Sequence, residues 1–172
     1  MPQSSLPLEV QQHVIARFAD MLVRAGMCQQ VTPSVNEQDA LSLCTTPGTS
    51  FQIVLSHQTP ESITVDVINQ VSSLQNLDRE GAQALCAKLQ QEIPYAHFMM
   101  VPTMGHVICE SHLKQDAPEQ GFTGCVLDLM CLAGALGDTA RLLTPDQGPF
   151  DESKIGVLYM LIRNEFLQER RS

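Results

Sequence analysis

The 172-residue sequence contains no tryptophan, and aromatic residues make up only 5% of it. Its hydrophobic core must therefore be built from aliphatic side chains, with methionine and cysteine as fillers. Lysine and arginine form no cluster apart from Arg170-Arg171, and the formal net charge is −9. Such an acidic surface repels phosphate backbones and anionic lipid, so the charge argues against nucleic-acid-binding and membrane-surface proteins.

Motifs for cofactors and metals are also missing. The glycines are isolated, and neither GxGxxG nor GxxxxGK[ST], the patterns that cradle phosphate groups, occurs. The six cysteines, at positions 28, 44, 86, 109, 125 and 131, form no CxxC pair. From these absences we predict no cofactor and no metal site, and we read the thiols as free in a reducing compartment.

Export signals and membrane spans are absent from the sequence pattern as well. Met1 to Leu8 is rich in Pro, Ser and Gln and lacks the basic-then-apolar order of a secretory signal. The longest nearly apolar run, Cys125 to Leu136, contains Asp128 and is too short to span a bilayer. We therefore expect a soluble, cytoplasmic protein.

The sequence does contain a regular succession of helix and strand patterns. Helical segments carry apolar residues three and four positions apart, whereas strand segments such as Phe51 to His57 alternate apolar and polar residues. The predicted helices are 8–25, 77–93, 123–143 and 152–168, and the predicted strands are 40–45, 51–57, 63–71, 96–101 and 106–113. The segment 28–39 is predicted to be a loop with room for one short strand.

Short Pro/Gly turns connect the strands, as in Pro102 to Gly105, and such turns are typical of antiparallel neighbours. The sequence thus predicts an α+β fold with helices packed on an antiparallel sheet of about five strands. The order is α-β-β-β-α-β-β-α plus a C-terminal helix. We expect a single domain over 1–172, with a loose N-terminus at 1–7, a core at 8–143 and an appended helix at 150–172.

The helix predicted over 123–143 is apolar on more of its surface than one sheet contact requires. Leu129, Leu132 and Leu136 belong to its main stripe, and Ala133, Gly134, Ala135 and Gly137 permit close approach of another helix. Either the last helix or a second copy of the protein covers the excess.

One segment, Cys109-Glu110-Ser111-His112 with His106, invites a thiol or metal-site interpretation. On one strand, residues three apart point to opposite faces, and His106 and His112 lie roughly 20 Å apart, too far for one ion. A reactive cysteine also needs electropositive surroundings, which this acidic chain does not offer. The carboxylates are scattered, and spacing assigns no pair to one site. We predict no catalytic residues and a protein that is not an enzyme.

Phe98-Met99-Met100 permits two interpretations. Flexible methionines suit adaptable binding surfaces, but such a run is more often core.

The order helix, three strands, helix, two strands, helix over Leu8 to Leu143 resembles the class I type III secretion chaperones, the CesT/Tir-chaperone family. The hairpin 97–113 and the long helix that follows are the most similar part. The resemblance implies a homodimer that holds the N-terminal segment of an effector in extended form, partly by strand addition at a sheet edge. It places partner contacts on helix one and on strands 40–71, at Val14, Phe18, Leu22, Leu41, Leu43 and Val54.

The same order also resembles YbjN-like bacterial sensory transduction regulators, which implies a folded protein partner instead. The helix predicted at 152–168 departs from the typical short chaperone. The partner predicted from the sequence is in either case a protein, whether an effector or a regulatory partner.

Overall fold

The computed structural model describes residues 7–35, 40–45, 50–57, 61–71, 74, 77–143 and 152–171. The predicted loose N-terminus lies outside these residues except for Pro7. The elements are α1 (Leu8–Arg24), β1 (Gln30–Val35), β2 (Ala40–Thr45), β3 (Phe51–Ser56), β4 (Ser62–Gln70), α2 (Arg79–Glu92), β5 (His97–Val101), β6 (His106–Lys114), α3 (Glu119–Ala140) and α4 (Glu152–Arg171). This is an α+β fold built on one antiparallel sheet, which confirms the predicted fold class.

The sheet has six strands where about five were predicted, in the order β1-β2-β3-β4-β6-β5. The additional strand is β1, within the segment predicted to be a loop with room for a short strand. Its polar residues and Pro33 obscure the alternation of a strand. Pairing with β2, for example Val31 opposite Cys44, places this segment in the sheet.

Helix α3 begins at Glu119, earlier than the predicted Thr123, so the loop before it is shorter than expected. The hydroxyl of Thr123 donates a hydrogen bond to the Glu119 carbonyl inside the helix at 2.9 Å and does not cap its start. At 22 residues, α3 is long and apolar enough to cross a membrane by length and composition alone, a test that buried core helices also pass. Half of its most apolar window is buried against other parts of the protein.

The hydrophobic core lies between one face of the sheet and the helices. Ile53, Val67 and Cys109 are neighbours across three strands, and all three are fully buried. Helix α3 packs on this face, where Asn69 donates from Nδ2 to the Ala133 carbonyl at 3.0 Å.

Helix α1 joins the same core. The ring of Phe18 meets that of Phe122 on α3 edge-to-face, with 4.7 Å between the ring centroids. Gln11, Ile15, Ala19, Met21 and Leu22 complete the buried side of α1.

Helix α4 covers the excess apolar surface of α3. Ile155, Leu158, Ile162 and Phe166 follow helical spacing, are buried and belong to the same core as the sheet. α4 contacts both α3 and α2. Of the two alternatives for covering α3, the described structure therefore uses the last helix.

Candidate protein-binding surface

The face of the sheet opposite the helices carries a row of aligned side chains. The strand register places Leu43, Val54, Asp66, Glu110 and His97 side by side across five strands. We call this side of the sheet the outer face. All four helices contribute their buried residues to the core on the other side, so in the described part of the chain no helix covers the outer face.

Two of the predicted partner-binding residues lie on this face. Leu43 and Val54 are directly opposite each other on β2 and β3, and both are half-buried. The backbone of Leu41 pairs with Ser56 on the same strands, while its side chain lies outside the described part of the chain. Partner contact by these three residues stays a prediction.

The predicted contacts on α1 occupy a different environment. Phe18 and Leu22 are fully buried, and Val14 is half-buried and packed against the core. Helical spacing identifies the apolar face of α1 but does not say whether that face meets solvent or the sheet. Since a fully buried side chain has no surface to offer, Phe18 and Leu22 are not part of the candidate surface.

The outer face brings together two carboxyl groups that sequence spacing left apart. Asp66 on β4 is directly opposite Glu110 on β6. Desolvation by burial, followed by hydrogen bonding to Glu110 and repulsion from its charge, raises the pKa of Asp66 to about 7. A hydrogen bond between two carboxyl groups requires that one of them be protonated, and near neutral pH Asp66 is protonated part of the time.

Histidines surround this carboxyl pair. Nε2 of His112 lies 3.4 Å from Oε1 of Glu110, and Nδ1 of His112 lies 3.0 Å from the Thr64 hydroxyl. The rings of His112 and His97 meet edge-to-face at 6.3 Å. The outer face thus has a polar centre, with Val54, Ile68 and Ile108 half-buried beside it.

A groove of about 510 Å³ runs between helix α2 and edge strand β5. Its helix side is formed by Arg79, Ala82, Gln83 and Cys86, and its strand side by residues 98–103. Within the Phe98-Met99-Met100 run, Phe98 is core, Met100 is half-buried and Met99 is exposed. The run thus contributes to the core and also lines an open groove, and its use as a binding surface stays a prediction.

The two edges of the sheet differ in their fitness to accept another strand. Strand β1 contains Pro33, which has no backbone N–H to donate and blunts that edge. Strand β5, with the sequence HFMMV, contains no proline and pairs on one side only, with β6. Of the two described edges, β5 is the better template for an added strand.

Three of the six thiols are placed unfavourably for nucleophilic chemistry. Cys109 is fully buried on the core side of β6, opposite to the side that carries His112, and burial raises the pKa of its thiol. Burial also raises the pKa of Cys44 and of Cys86 to about 12. A thiol that stays protonated at neutral pH is a poor nucleophile. Among the described residues, no group of three or more His, Cys, Asp or Glu side chains is placed to hold a metal ion.

Comparison with known proteins gives one distant likeness. No protein-family model matches the sequence, and no curated protein matches it. Among solved structures, the ExsC–ExsE complex is similar with a TM-score of 0.44 and 14% sequence identity, covering 80% of this chain and 96% of that chain. A likeness of this size does not carry a functional assignment.

Proposed function

We propose that this chain is a non-catalytic, chaperone-like protein that binds an extended segment of a partner protein. One observation carries the proposal: an apolar groove of about 510 Å³ lies beside the proline-free edge strand β5. In strand addition, main-chain hydrogen bonds to a free edge supply affinity, and pockets for alternate side chains supply specificity.

The composition of the groove supports this mode of binding. Met99 and Met100 line it, and Met104 is 62% exposed in the turn that follows β5. Methionine side chains are flexible and polarizable, so they repack around different apolar partners. A protein that receives segments of varied sequence benefits from such a surface.

The proposal also covers the identity of the partner and the cellular location of the protein. The resemblance noted from element order favours the N-terminal segment of a type III secretion effector, held in the cytoplasm before secretion. The net charge of −9 disfavours nucleic acid and anionic membranes as partners. Binding by strand addition uses no cofactor and no nucleotide.

A homodimer is the oligomeric state that we propose. Val157, Met160, Leu161 and Leu167 are exposed apolar side chains on α4, on the side away from its buried residues. A second copy that packs on this side would remove them from water. Analytical ultracentrifugation of the wild type should give a dimer and of Leu161→Lys a monomer, and a monomeric wild type would contradict this part of the proposal.

The binding proposal is tested by affinity capture of the tagged protein from its native host, followed by limited proteolysis of the captured complex. We expect a dominant partner with one protected extended segment. Amide hydrogen exchange should show new protection in β5 when that segment is bound. Recovery of partners that bind only as folded domains would instead favour the YbjN-like alternative.

A pair of matched variants locates the binding site. Gln83 is exposed and lines the groove, while Gln91 is exposed on the same helix outside the groove. Gln83→Trp should fill part of the groove and weaken segment binding at least tenfold, whereas Gln91→Trp should bind like the wild type. Equal binding by both variants would exclude the groove as the binding site.

A further inference from the structure

The outer face is acidic where the carboxyl pair lies and apolar around that pair. Asp66 and Glu110 are cross-strand partners, and His97 on β5 is opposite Glu110 on the other side. Val54 lies beside Asp66 on β3. Ile68 and Ile108 face each other at the next outer-face position along β4 and β6. A ligand that fits this surface must be cationic at one point and apolar near it.

The described part of the chain supplies no lysine or arginine to this pair. The ion pairs found elsewhere, Arg24–Glu119 and Lys88–Glu92, lie on the helices. Oδ1 of Asp66 is shielded from solvent and has no hydrogen-bond partner among the described residues. Like charges directly opposite each other on neighbouring strands destabilise a sheet, and a buried acceptor without a donor adds to that cost.

A permanent counter-charge, which the His112 imidazole 3.4 Å from Glu110 supplies only when protonated, has the chemistry of an amine or a guanidinium. A divalent metal is a poor fit, because the described side chains around the pair do not form a set of three or more ligands. A guanidinium presents several donors in one plane and can bind two carboxylates at once, and an ammonium donates in several directions. Either group, placed at Glu110, would neutralise that carboxylate and so lower the repulsion between Glu110 and Asp66.

Glu110, the nearer member of the pair, lies within reach of a strand added at β5, and Asp66 lies one strand farther in. Neighbouring strands are about 4.8 Å apart, so an added strand would lie roughly 10 Å from β6, with β5 between them. Alternate side chains of the added strand would point to the outer face. A long basic side chain that extends across His97 can meet Glu110, and apolar residues two positions away would contact the half-buried aliphatic side chains.

We infer that the Asp66–Glu110 pair is a recognition site for a lysine or arginine of the bound segment, flanked by apolar residues at alternate positions. This inference rests on the proposed binding of an extended segment and states which kind of segment sequence the protein prefers. It differs from a general attraction between an acidic protein and basic peptides, because it assigns the preference to two carboxyl groups at one place.

The test is a selection from a displayed library of random dodecapeptides against three immobilised proteins. These are the wild type, the isosteric neutral variant Asp66→Asn/Glu110→Gln, and the control Glu9→Gln/Asp20→Asn, which removes two exposed carboxylates from α1. We expect wild type and control to enrich peptides with Lys or Arg between apolar residues. The outer-face variant should still bind peptides but lose the basic preference.

A selected peptide then gives the quantitative comparison. Replacing its basic residue with methionine should weaken binding to the wild type at least tenfold and leave binding to the outer-face variant nearly unchanged. Circular dichroism verifies that all three proteins are folded. Enriched peptides without a basic preference, or a preference that survives in the outer-face variant, would overturn the inference and leave segment binding intact. Failure to enrich any peptide would overturn the proposed function itself.

Discussion

Two glycines on α3 lie three residues apart but have different surroundings. A Cβ added to Gly137 would lie 2.6 Å from Nδ2 of Asn69 and 3.0 Å from a methyl group of Val71, whereas a Cβ added to Gly134 would meet only the ring edge of Phe51 at 3.5 Å. The small residues noted in the sequence thus permit close approach of α3 to the sheet. Asn69 uses the same Nδ2 to bond the Ala133 carbonyl, so the space beside Gly137 is part of a buried polar contact.

We predict opposite effects for alanine at these positions. Gly134→Ala should stabilise the protein by up to about 1 kcal/mol, because alanine has the higher helix propensity and the new methyl group fits. Gly137→Ala should destabilise it by about 1–3 kcal/mol, because Asn69 must move and its buried hydrogen bond is lost. Urea denaturation followed by circular dichroism measures both. Equal stability of the two variants would mean that α3 lies farther from the sheet than described.

At the residue scale, Asp66 also predicts a dependence of stability on pH. Its pKa is raised by burial and by Glu110 to about 7, above the value of 3.8 expected for an unperturbed side chain. Between about pH 4 and pH 7 the folded state therefore retains a proton that the unfolded state releases. This contribution to stability is fully present below pH 4 and is lost as the pH rises through about 7.

Asp66→Asn removes the ionisation and should remove this loss. We expect the variant to exceed the wild type in free energy of unfolding by roughly 1 kcal/mol or more at pH 8, after allowance for solvent screening, and the difference should shrink toward pH 4. The difference reports both the burial of Asp66 and its interaction with Glu110, while His97 and His112 are present in both proteins. The control Asp20→Asn, on the exposed side of α1, should show no such trend. Parallel stability curves for Asp66→Asn and wild type would contradict the assignment.

At the scale of elements, the periodicity of apolar residues correctly predicted the helices and strands that bury one face. Helices α1, α2 and α4 and strands β2 to β6 have the residue spacing of such segments, and the structure places them close to the predicted bounds. The sequence left room for strand β1 but did not specify it. Its extended structure is stabilised by pairing with β2, and its residues do not alternate between apolar and polar. The predicted start of α3 at Thr123 is late, because the first turn, from Glu119 to Phe122, carries only one apolar residue that could mark the helix.

Helix α4 has two apolar sides that should respond differently to truncation. Ile162 is buried in the core, while its neighbour Leu161 is 45% exposed. We predict that Ile162→Ala destabilises the protein by about 2–4 kcal/mol, because a cavity opens beneath the helix. At protein concentrations low enough to keep the chain monomeric, Leu161→Ala should change the stability by no more than about 0.5 kcal/mol. Denaturation midpoints compare the two, and a small effect at Ile162 would show that α4 is an appendage and not part of the core.

At the scale of the whole molecule, the candidate surface depends on topology. Strand β6 lies between β4 and β5, and this order brings Glu110 beside Asp66 and leaves β5 at the edge next to α2. Spacing along one chain does not contain this information, so the carboxylates looked scattered. The partner contacts predicted on α1 and strands 40–71 came from the resemblance and stay predictions. The resemblance implied strand addition at a sheet edge, but it did not identify which edge.

The charge of the molecule gives a prediction for the kinetics of partner binding. With 19 acidic and 10 basic residues, the protein should attract a segment that carries a lysine or arginine, and salt should weaken that attraction. The Debye length falls from about 10 Å at 0.1 M salt to about 3 Å at 1 M. We expect the association rate constant to fall about tenfold over this range, while the dissociation rate constant changes less.

Surface plasmon resonance with a selected peptide measures both rate constants. Two variants that remove the same number of charges should differ in their effects on these two rate constants. Glu9→Gln/Asp20→Asn should lower only the association rate constant, because these side chains lie on α1, away from the outer face. Asp66→Asn/Glu110→Gln should also raise the dissociation rate constant, because it removes the contact that holds the basic side chain after docking. If salt left the association rate constant unchanged, apolar contact alone would drive capture and the acidic surface would have no part in it.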